Sequence, residues 1–213
     1  MKDVFVLFGK PGAGKGTRLS ELLGERENQF EVLSVGNLLR KARKEHTELG
    51  QKAEAYMDAG LLLPDEIVNE IIIEAINKSE KDIILDGSPR TVMQAMLLLE
   101  AGIYPKKVIN FEVDDETVIE RTKYRIVCEN CGESYTTNQF KPPKKEGFCD
   151  KCGSILMRRK DDEEEVVRNR LKVYQKQTYP ALDVFRNNNV LICTIDNTRD
   201  DAGERFAEAM SKE

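Results

Sequence analysis

A glycine-rich run near the start of this 213-residue chain has the residue types of a phosphate site. Gly9 to Lys15 reads G-K-P-G-A-G-K and matches the G-x-x-x-x-G-K pattern of a phosphate-binding loop. Glycines let the backbone point N–H groups at phosphate oxygens, and Lys15 with a following helix adds positive charge. Gly16 takes the usual hydroxyl position, and Thr17 follows it. The run therefore predicts a nucleotide phosphate site.

Arginines form the second group of candidates. Taken singly, a surface arginine is usually only a solubilising charge. Most of these, however, flank the boundary of a predicted insert or a turn at the carboxyl end of a predicted strand. Planar, permanently charged guanidinium groups can spread the charge of a phosphoryl group in transfer. The six candidates for phosphoryl transfer are Arg40, Arg90, Arg121, Arg125, Arg159 and Arg170.

Four cysteines have the spacing of a structural zinc site. Cys128-x2-Cys131 is followed after seventeen residues by Cys149-x2-Cys152. Two tight turns of this kind can present four thiolates to one tetrahedral ion, and the metal would supply folding energy to a segment poor in apolar residues. Iron is an alternative metal, and a disulfide or redox pair an alternative use of the thiols. A zinc ribbon that reads nucleic acid is a rival for this segment, supported by Lys141, Lys144, Lys145 and Lys151.

Strands and helices are predicted to alternate along the chain. Short apolar segments predict four buried strands: Val4 to Phe8, Ile83 to Leu85, Val108 to Val113 and Val190 to Ile195. Helical patterns lie at Lys15 to about Glu27, Ile67 to Ile76, Val92–Met96–Leu99, and Val167–Leu171–Tyr174–Thr178. Such alternation predicts an α/β fold with a parallel sheet flanked by helices on both faces. Ligands bind beyond the carboxyl ends of the strands in such sheets.

Two stretches depart from this alternation and are predicted to be inserts. Residues 34–63 hold two short helical patterns without a strand between them, closed by Gly60 and Pro64. Residues 125–160 contain the four cysteines, the pair Pro142-Pro143 and no helical period. Each insert interrupts the core rather than forming a domain in tandem.

Composition limits the partners. The net charge of −5 argues against a general affinity for nucleic acid or anionic membrane. No apolar stretch approaches the roughly 20 residues that cross a bilayer. The short apolar segment at the start lacks the cleavage site of a signal peptide, so we expect a cytoplasmic protein. We also expect a monomer, because no apolar stripe is left unexplained.

In these features the chain resembles the adenylate kinase family. The resemblance rests on Gly9 to Thr17, Gly36 to Arg40, Asp86 to Arg90 with Gln94, and Arg159 through Leu171, in the family's order. It implies a P-loop core at 1–33, 64–123 and 163–213, an NMP-binding insert at 34–63 and a zinc-stapled lid at 124–162. It also implies reversible transfer from ATP to AMP giving two ADP, with Mg²⁺ bound alongside ATP.

The resemblance also implies residue roles. ATP would be bound by Gly12, Ala13, Gly14, Lys15, Gly16, Thr17, Arg121, Arg125, Ser134, Tyr135 and Arg199. AMP would be bound by Val35, Arg40, Leu61, Leu63, Gly87, Arg90, Gln94, Arg159 and Arg170. The catalytic group would be Lys15, Arg90, Arg125, Arg159, Arg170 and Asp86, the last ordering the water shell of Mg²⁺. Asp161 and Asp162 would meet the nucleotide when the lid shuts.

The chain departs from the family pattern at several positions. Val35 stands where threonine is usual, Asn37 for aspartate, Leu61 for lysine, Ser88 for phenylalanine and Ile126 for arginine. Because three of these lie in or beside the acceptor pocket, a kinase of the same fold with CMP, UMP or GMP as acceptor remains an alternative. A nucleotide-binding regulatory protein that uses its zinc lid to bind a partner is the alternative of another class.

Overall fold

The computed structural model describes residues 2–24, 29–59, 61–138 and 140–211. The predicted end of the first helix near Glu27, and the predicted turn residue Gly60, lie outside these residues. The strands in this part of the chain are β1 Val4–Gly9, β2 Phe30–Ser34, β3 Asp82–Asp86, β4 Lys107–Glu112, β5 Arg125–Cys128, β6 Ser134–Thr136, β7 Leu156–Met157 and β8 Leu191–Asp196.

Nine α-helices accompany the strands in the described ranges. They are α1 Lys15–Leu23, α2 Val35–Lys44, α3 Glu48–Asp58, α4 Asp65–Lys78, α5 Val92–Glu100, α6 Asp115–Lys123, α7 Glu164–Val173, α8 Ala181–Asn187 and α9 Ala202–Ala209. A 3₁₀ turn at Lys160–Asp162 precedes α7, and a π-helical turn at Tyr174–Thr178 extends it. None of the described helices is both long and apolar enough to cross a membrane.

Five strands form a parallel sheet in the order β2-β3-β1-β4-β8. Side chains alternate between its two faces, as the pleat requires. Val4, Val6 and Phe8 pack in one apolar cluster with α4, α5 and α8. Phe5 and Leu7 pack in a second cluster with α1, α6 and α9. The sheet is therefore covered by helices on both faces, which confirms the predicted fold class.

Two helical predictions agree with the buried faces. Val68, Ile72 and Ile76 of α4 are buried, and Ile67, Ile71 and Ala75 beside them are partly buried. Along α7 and its π extension the four predicted residues are all buried: Val167, Leu171, Tyr174 and Thr178. Full burial of one large apolar side chain contributes about 1.5–3 kcal/mol, so these faces attach both helices firmly to the core.

The prediction of which face of α5 is buried is wrong. Val92 and Met96 are exposed, and the helix buries Ala95 and Leu98 together with Leu99. Nearly every residue of this helix is apolar, so the 3.6-residue period does not distinguish one face from another. Only the neighbours of the helix decide which side is covered.

The strand predictions were incomplete at the sheet edges and in the second insert. Strand β2 was not predicted, because the charged Glu31 interrupts its short apolar run. Strand β8 was predicted to be buried, yet it lies at an edge beside β4 and leaves Leu191 exposed. The segment 125–157 contains a small antiparallel sheet in the order β6-β5-β7, which its composition did not indicate.

The parallel sheet brings distant parts of the sequence to one edge. Gly9 ends β1, Asp86 ends β3 and Asp196 ends β8. Carboxyl ends of parallel strands meet on the same side of a sheet, so the glycine loop and the turn after Asp86 become neighbours. Helix α2 begins directly after β2, so the segment 35–58 leaves the core at this same edge.

Candidate active site

The loop after β1 curls around the ammonium group of Lys15. Its Nζ donates to the carbonyl oxygens of Gly9 at 2.6 Å and Lys10 at 2.9 Å. Gly12 and Gly14 have φ values of 83° and 87°, in the left-handed region that favours glycine. A Cβ at Gly12 would lie only 2.9 Å from Val118 Cγ1, so the loop also has no room for a side chain there.

The electrostatic surroundings of Lys15 suit an anion. Burial lowers the pKa of Lys15 to about 8, Asp86 opposes this shift, and Arg90, Arg170 and Arg125 add to it. The N-terminus of α1 begins at the same point and carries no capping side chain. A bound polyphosphate would replace cation repulsion by attraction. The loop is therefore shaped and charged to hold phosphate.

One cleft contains all six predicted arginines together with Lys15 and Asp86. It is lined by Lys15, Arg40, Asp86, Arg90, Arg121, Arg125, Arg159 and Arg170. Burial lowers the pKa of Arg40 and of Arg170, and neighbouring guanidinium groups, Arg159 in both cases, lower it further. The six arginines are spread over 131 positions of the sequence, from 40 to 170. They converge in space in this cleft.

Two aspartates hold three of these arginines in place. Asp161 is paired with Arg159 and accepts from Arg170 Nη1 at 2.9 Å through its Oδ2. Asp162 is paired with Arg125, whose Nε lies 2.7 Å from Oδ2. Burial tends to raise the pKa of Asp161, but Arg170 and Arg159 outweigh it and hold that pKa far below its usual range. The two carboxylates therefore pre-orient the guanidinium groups.

The predicted acceptor residues lie in the same cleft. All nine line it: Val35, Arg40, Leu61, Leu63, Gly87, Arg90, Gln94, Arg159 and Arg170. Gln94 is almost completely buried, at 1% exposure. Arg90 bends back so that its Nε donates to the Gly87 carbonyl at 2.7 Å. These nine residues combine apolar side chains, the amide of Gln94 and a set of cations.

Eight of the eleven predicted ATP residues line the same cleft. These are Gly12, Gly14, Lys15, Gly16, Thr17, Arg121, Arg125 and Ser134. Ala13 is buried beneath the loop, and its carbonyl accepts from Asn197 Nδ2 at 2.6 Å. The side chain of Tyr135 is buried among the cysteines instead. Arg199 is exposed and paired with Asp201, outside the lining of the cleft.

Sequence reasoning did not assign every residue of this cleft, and two examples are Asn197 and Phe140. Asn197 is buried and lines it, accepting from Arg18 Nε at 2.8 Å while its carbonyl accepts from Arg121 Nη2 at 2.8 Å. A polar residue directly after the predicted strand β8 was the available signal, because strand ends carry the ligand site in such sheets. Phe140, 72% exposed, also lines the cleft, and such an exposed aromatic ring has no signal in its spacing.

The four predicted metal ligands form one cluster. The Sγ atoms of Cys128, Cys131, Cys149 and Cys152 all lie within 4.8 Å of one another. Cys128 Sγ is 3.4 Å from Cys152 Sγ, and Cys131 Sγ is 3.5 Å from Cys149 Sγ. Zinc–sulfur bonds of about 2.3 Å in a tetrahedron put sulfurs somewhat under 4 Å apart. The donor set therefore fits a Zn²⁺ ion.

The two halves of the cluster repeat the same turn. Gly132 N donates to the Cys128 carbonyl at 2.9 Å, and Gly153 N donates to the Cys149 carbonyl at 2.8 Å. Both glycines have positive φ, 78° and 72°. A glycine directly after the second cysteine of each pair lets the chain turn around its thiolate. These glycines stand beside the cysteines in the sequence, and sequence reasoning did not use them.

A tyrosine connects this cluster to strand β6. Tyr135 Oη accepts from Asp150 N at 2.9 Å and lies 3.5 Å from Cys149 Sγ. The N–H of Asp150 occupies a lone pair of the hydroxyl oxygen and leaves its proton unused. The hydroxyl can therefore donate to the sulfur. Tyr135 is buried in the small sheet together with Cys128 and Leu156.

The cysteine-bearing insert contacts both the core and the first insert. Ser20 Oγ of α1 donates to the Glu133 carboxylate at 3.0 Å. Lys141 Nζ donates to the same carboxylate at 2.7 Å. A Cβ at Gly132 would lie 3.2 Å from Asn37 Nδ2 of α2. The insert is therefore folded over the cleft.

These features define the class of protein. A parallel α/β sheet whose carboxyl edge carries a glycine–lysine loop, opening into a cleft lined by arginines, is a P-loop phosphotransferase of nucleotides.

Comparison with known proteins narrows the class. A family model described as adenylate kinase matches residues 7–190. The adenylate kinase of Caldicellulosiruptor bescii is 46% identical over 195 residues, 88% of each chain. That of Methanosarcina barkeri is 44% identical over 201 residues, 92% of this chain and 91% of the relative. That of Archaeoglobus fulgidus is 43% identical over 207 residues, 93% and 92% of the two chains.

The chain belongs to the adenylate kinase family. It is therefore an enzyme that transfers phosphoryl groups between nucleotides, and the comparisons favour this over a regulatory nucleotide-binding protein.

The lowered pKa of Lys15 leads to a test of the phosphate loop. A bound polyphosphate favours the protonated amine, so ATP binding should raise that pKa from about 8. We expect the free protein to take up close to one proton per chain on binding ATP at pH about 9, where the phosphates of ATP are already ionised. Isothermal titration in buffers of different ionisation enthalpy measures this uptake.

The sign of this linkage fixes the pH dependence. Above about pH 8 the free amine loses its proton, so the Kd for ATP should rise with pH by up to about tenfold per unit. Lys78→Ala, which removes an exposed lysine of α4 paired with Glu74, is the control and should show the same uptake as the unaltered chain. Negligible proton uptake by the unaltered chain at pH 9 would contradict the assignment of Lys15.

The contact between Tyr135 and Cys149 leads to a second test. Tyr135→Phe removes a hydrogen bond to the sulfur, and loss of such a partner typically weakens metal binding about 10–100-fold. Transfer of Zn²⁺ from the folded protein to a chromophoric chelator measures the affinity. Tyr104→Phe, at an exposed tyrosine outside the insert, should leave the affinity unchanged. Equal affinities in Tyr135→Phe and the unaltered chain would show that the hydroxyl does not support the metal.

Proposed function

We propose that this enzyme catalyses reversible transfer of the terminal phosphoryl group of Mg-ATP to AMP, giving two ADP. The observation that supports this most strongly is the layout of the cleft. The phosphate loop, the apolar residues beside the Gln94 amide, and the arginines all line one cleft. Two nucleotides that enter this cleft from opposite ends would meet through their phosphates.

The donor nucleotide would occupy the loop end. Backbone N–H groups of Gly12 to Thr17 and the ammonium of Lys15 would hold its phosphates. Arg121 and Arg125 would reach it from the side of the second insert. Mg²⁺ enters as part of this substrate and neutralises phosphate charge; Asp86, a carboxylate in the cleft, is suited to order its water shell.

The acceptor would occupy the other end. Val35, Leu61 and Leu63 offer apolar walls to a base, and Gln94 offers an amide to its polar edge. Arg40 and Arg90 would grip the acceptor phosphate. Arg159 and Arg170, pre-oriented by Asp161, would then stabilise the charge that spreads over the phosphoryl group in transfer.

Transfer of this kind needs alignment rather than a covalent intermediate. Holding the acceptor oxygen in line with the phosphoryl group converts a bimolecular step into a unimolecular one. Water must be excluded, because it competes as an acceptor. The contacts of Glu133 with Ser20, and of Gly132 with Asn37, support an insert that closes over both nucleotides.

We propose a corresponding division of the chain. The core comprises 1–33, 64–123 and 163–213, the NMP-binding insert 34–63 and the lid 124–162. The lid would hold a structural Zn²⁺ through Cys128, Cys131, Cys149 and Cys152, which supplies folding energy to a sheet of short strands. Every residue assigned to the cleft comes from one chain, so a monomer would be complete.

The acceptor is tested with a panel of monophosphates. We expect turnover with Mg-ATP and AMP to exceed turnover with CMP, UMP or GMP, followed as ADP formation. Val35, in place of the threonine usual in the family, keeps CMP and UMP as alternative acceptors beside GMP. Preference for CMP or UMP over AMP would replace AMP by that acceptor and leave the phosphotransferase assignment standing.

The loop is tested by Lys15→Ala. We expect this change to reduce kcat by at least about a hundredfold. Among the described residues, Lys15 carries the only side-chain cation that the phosphate loop encloses. The melting temperature should stay close to that of the unaltered chain. Lys78→Ala should retain full turnover. Normal turnover in Lys15→Ala would remove the loop from the mechanism.

A further inference from the structure

Both ends of the buried amide in the acceptor pocket are already engaged. Gln94 Oε1 accepts from the backbone N of Arg90 at 2.6 Å. Gln94 Nε2 donates to Asp65 Oδ1 at 2.9 Å. Gln94 lines the cleft, whereas Asp65 lies behind it in the first turn of α4. The amide therefore has one orientation relative to the cleft.

The chemistry of the two partners fixes that orientation. A backbone N–H can only donate, and a carboxylate can only accept. If the amide of Gln94 turned over, its oxygen would face the oxygens of Asp65 and its NH₂ group would face the N–H of Arg90. Both contacts would become repulsive. The positions of the amide oxygen and nitrogen thus follow from their partners.

The frame around the amide is itself held. Thr178 Oγ1 donates to the Arg90 carbonyl at 2.8 Å, so the residue whose N–H faces Gln94 is also held through its carbonyl. Gln94 N donates to Thr91 Oγ1 at 3.0 Å at the start of α5. Asp65 is partly buried and begins a helix whose inner face is packed in the core. Rotation of the amide would have to disturb α4 or α5.

A fixed amide distinguishes two kinds of base edge. Gln94 still has one lone pair on Oε1 and one hydrogen on Nε2 for a ligand. A matching base presents a donor to the oxygen and an acceptor to the nitrogen. Adenine does so with its amino group and N1, and cytosine with its amino group and N3. Guanine and uracil reverse the order, with an oxo oxygen where the amino group stood and an N–H beside it.

We propose that Asp65 is a specificity-determining residue: by holding the Gln94 amide in one orientation, it selects acceptor monophosphates with an amino-type base edge and rejects those with an oxo-type edge. This rests on the proposed function and extends it, because it names the class of acceptor base. On this basis the bases of AMP and CMP match the fixed amide, whereas those of GMP and UMP do not. Asp65 acts through Gln94 and does not contact the base.

The sharpest probe is a pair of acceptors that differ only in this edge. Inosine monophosphate is AMP with the amino group replaced by an oxo group and with a proton on N1. The measurement is kcat/KM for AMP and for IMP with saturating Mg-ATP. In the unaltered chain AMP should be favoured by a large factor, because a site built to pair with one edge leaves polar groups unpaired with the other.

Asp65→Asn is the decisive variant. An asparagine can turn either its oxygen or its NH₂ group toward Gln94, so it removes one of the two contacts that oppose rotation of the amide. We expect the ratio of kcat/KM for AMP to that for IMP to fall about tenfold, mainly through KM. Glu66→Gln is the matched control, since it removes an exposed carboxylate from the same first turn of α4. Its ratio should stay unchanged.

The outcomes separate this inference from the proposed function. A purely structural effect of Asp65→Asn would lower kcat/KM for AMP and for IMP alike and leave their ratio unchanged. An unchanged ratio overturns the inference. AMP turnover by the unaltered chain would still uphold the proposed function. If the unaltered chain prefers IMP or GMP to AMP, the function and the inference both fall. A lower AMP-to-IMP ratio in Asp65→Asn, with an unchanged ratio in Glu66→Gln, supports both the inference and the proposed function.

Discussion

Cation repulsion inside one cleft is the constraint on which the rest of this structure depends. Lys15 and the arginines converge there, and burial removes much of the water that would screen them. Asp161 and Asp162 offset part of the repulsion and fix the direction of three guanidinium groups. The remaining positive charge is complementary to phosphate groups, so the same crowding that costs folding free energy favours a ligand rich in phosphate.

This constraint explains why folding stability and ligand binding depend on different parts of the fold. The apolar clusters on the two faces of the sheet supply stability, since every strand residue from Phe5 to Phe8 is buried. The cleft can therefore carry polar and charged groups at the carboxyl edge without supporting the core. A metal bound by the cysteine cluster would play a similar part in the second insert, whose short strands bury few apolar side chains.

Much of this was predictable from local patterns, and the exceptions have identifiable causes. The glycine loop, the cysteine pairs and the faces of α4 and α7 each depend on a few neighbouring residues, and local periodicity describes them well. The exposed side of α5 was mispredicted because an almost wholly apolar helix carries no directional signal. Strand β2 and the edge position of β8 depend on which strands pair, and strand order is not written in a strand's own residues.

Residue types and spacing alone were enough to predict a phosphate loop, a four-thiolate cluster and an α/β core, because each leaves a recognisable pattern in short stretches of the sequence. Tertiary structure decided which side chains share the cleft and how they are oriented. It placed Asn197 beneath the loop, turned Tyr135 toward Cys149, and set Asp65 behind Gln94. These pairings join residues from 14 to 184 positions apart, and only the packing of helices on a sheet brings such residues within hydrogen-bonding distance.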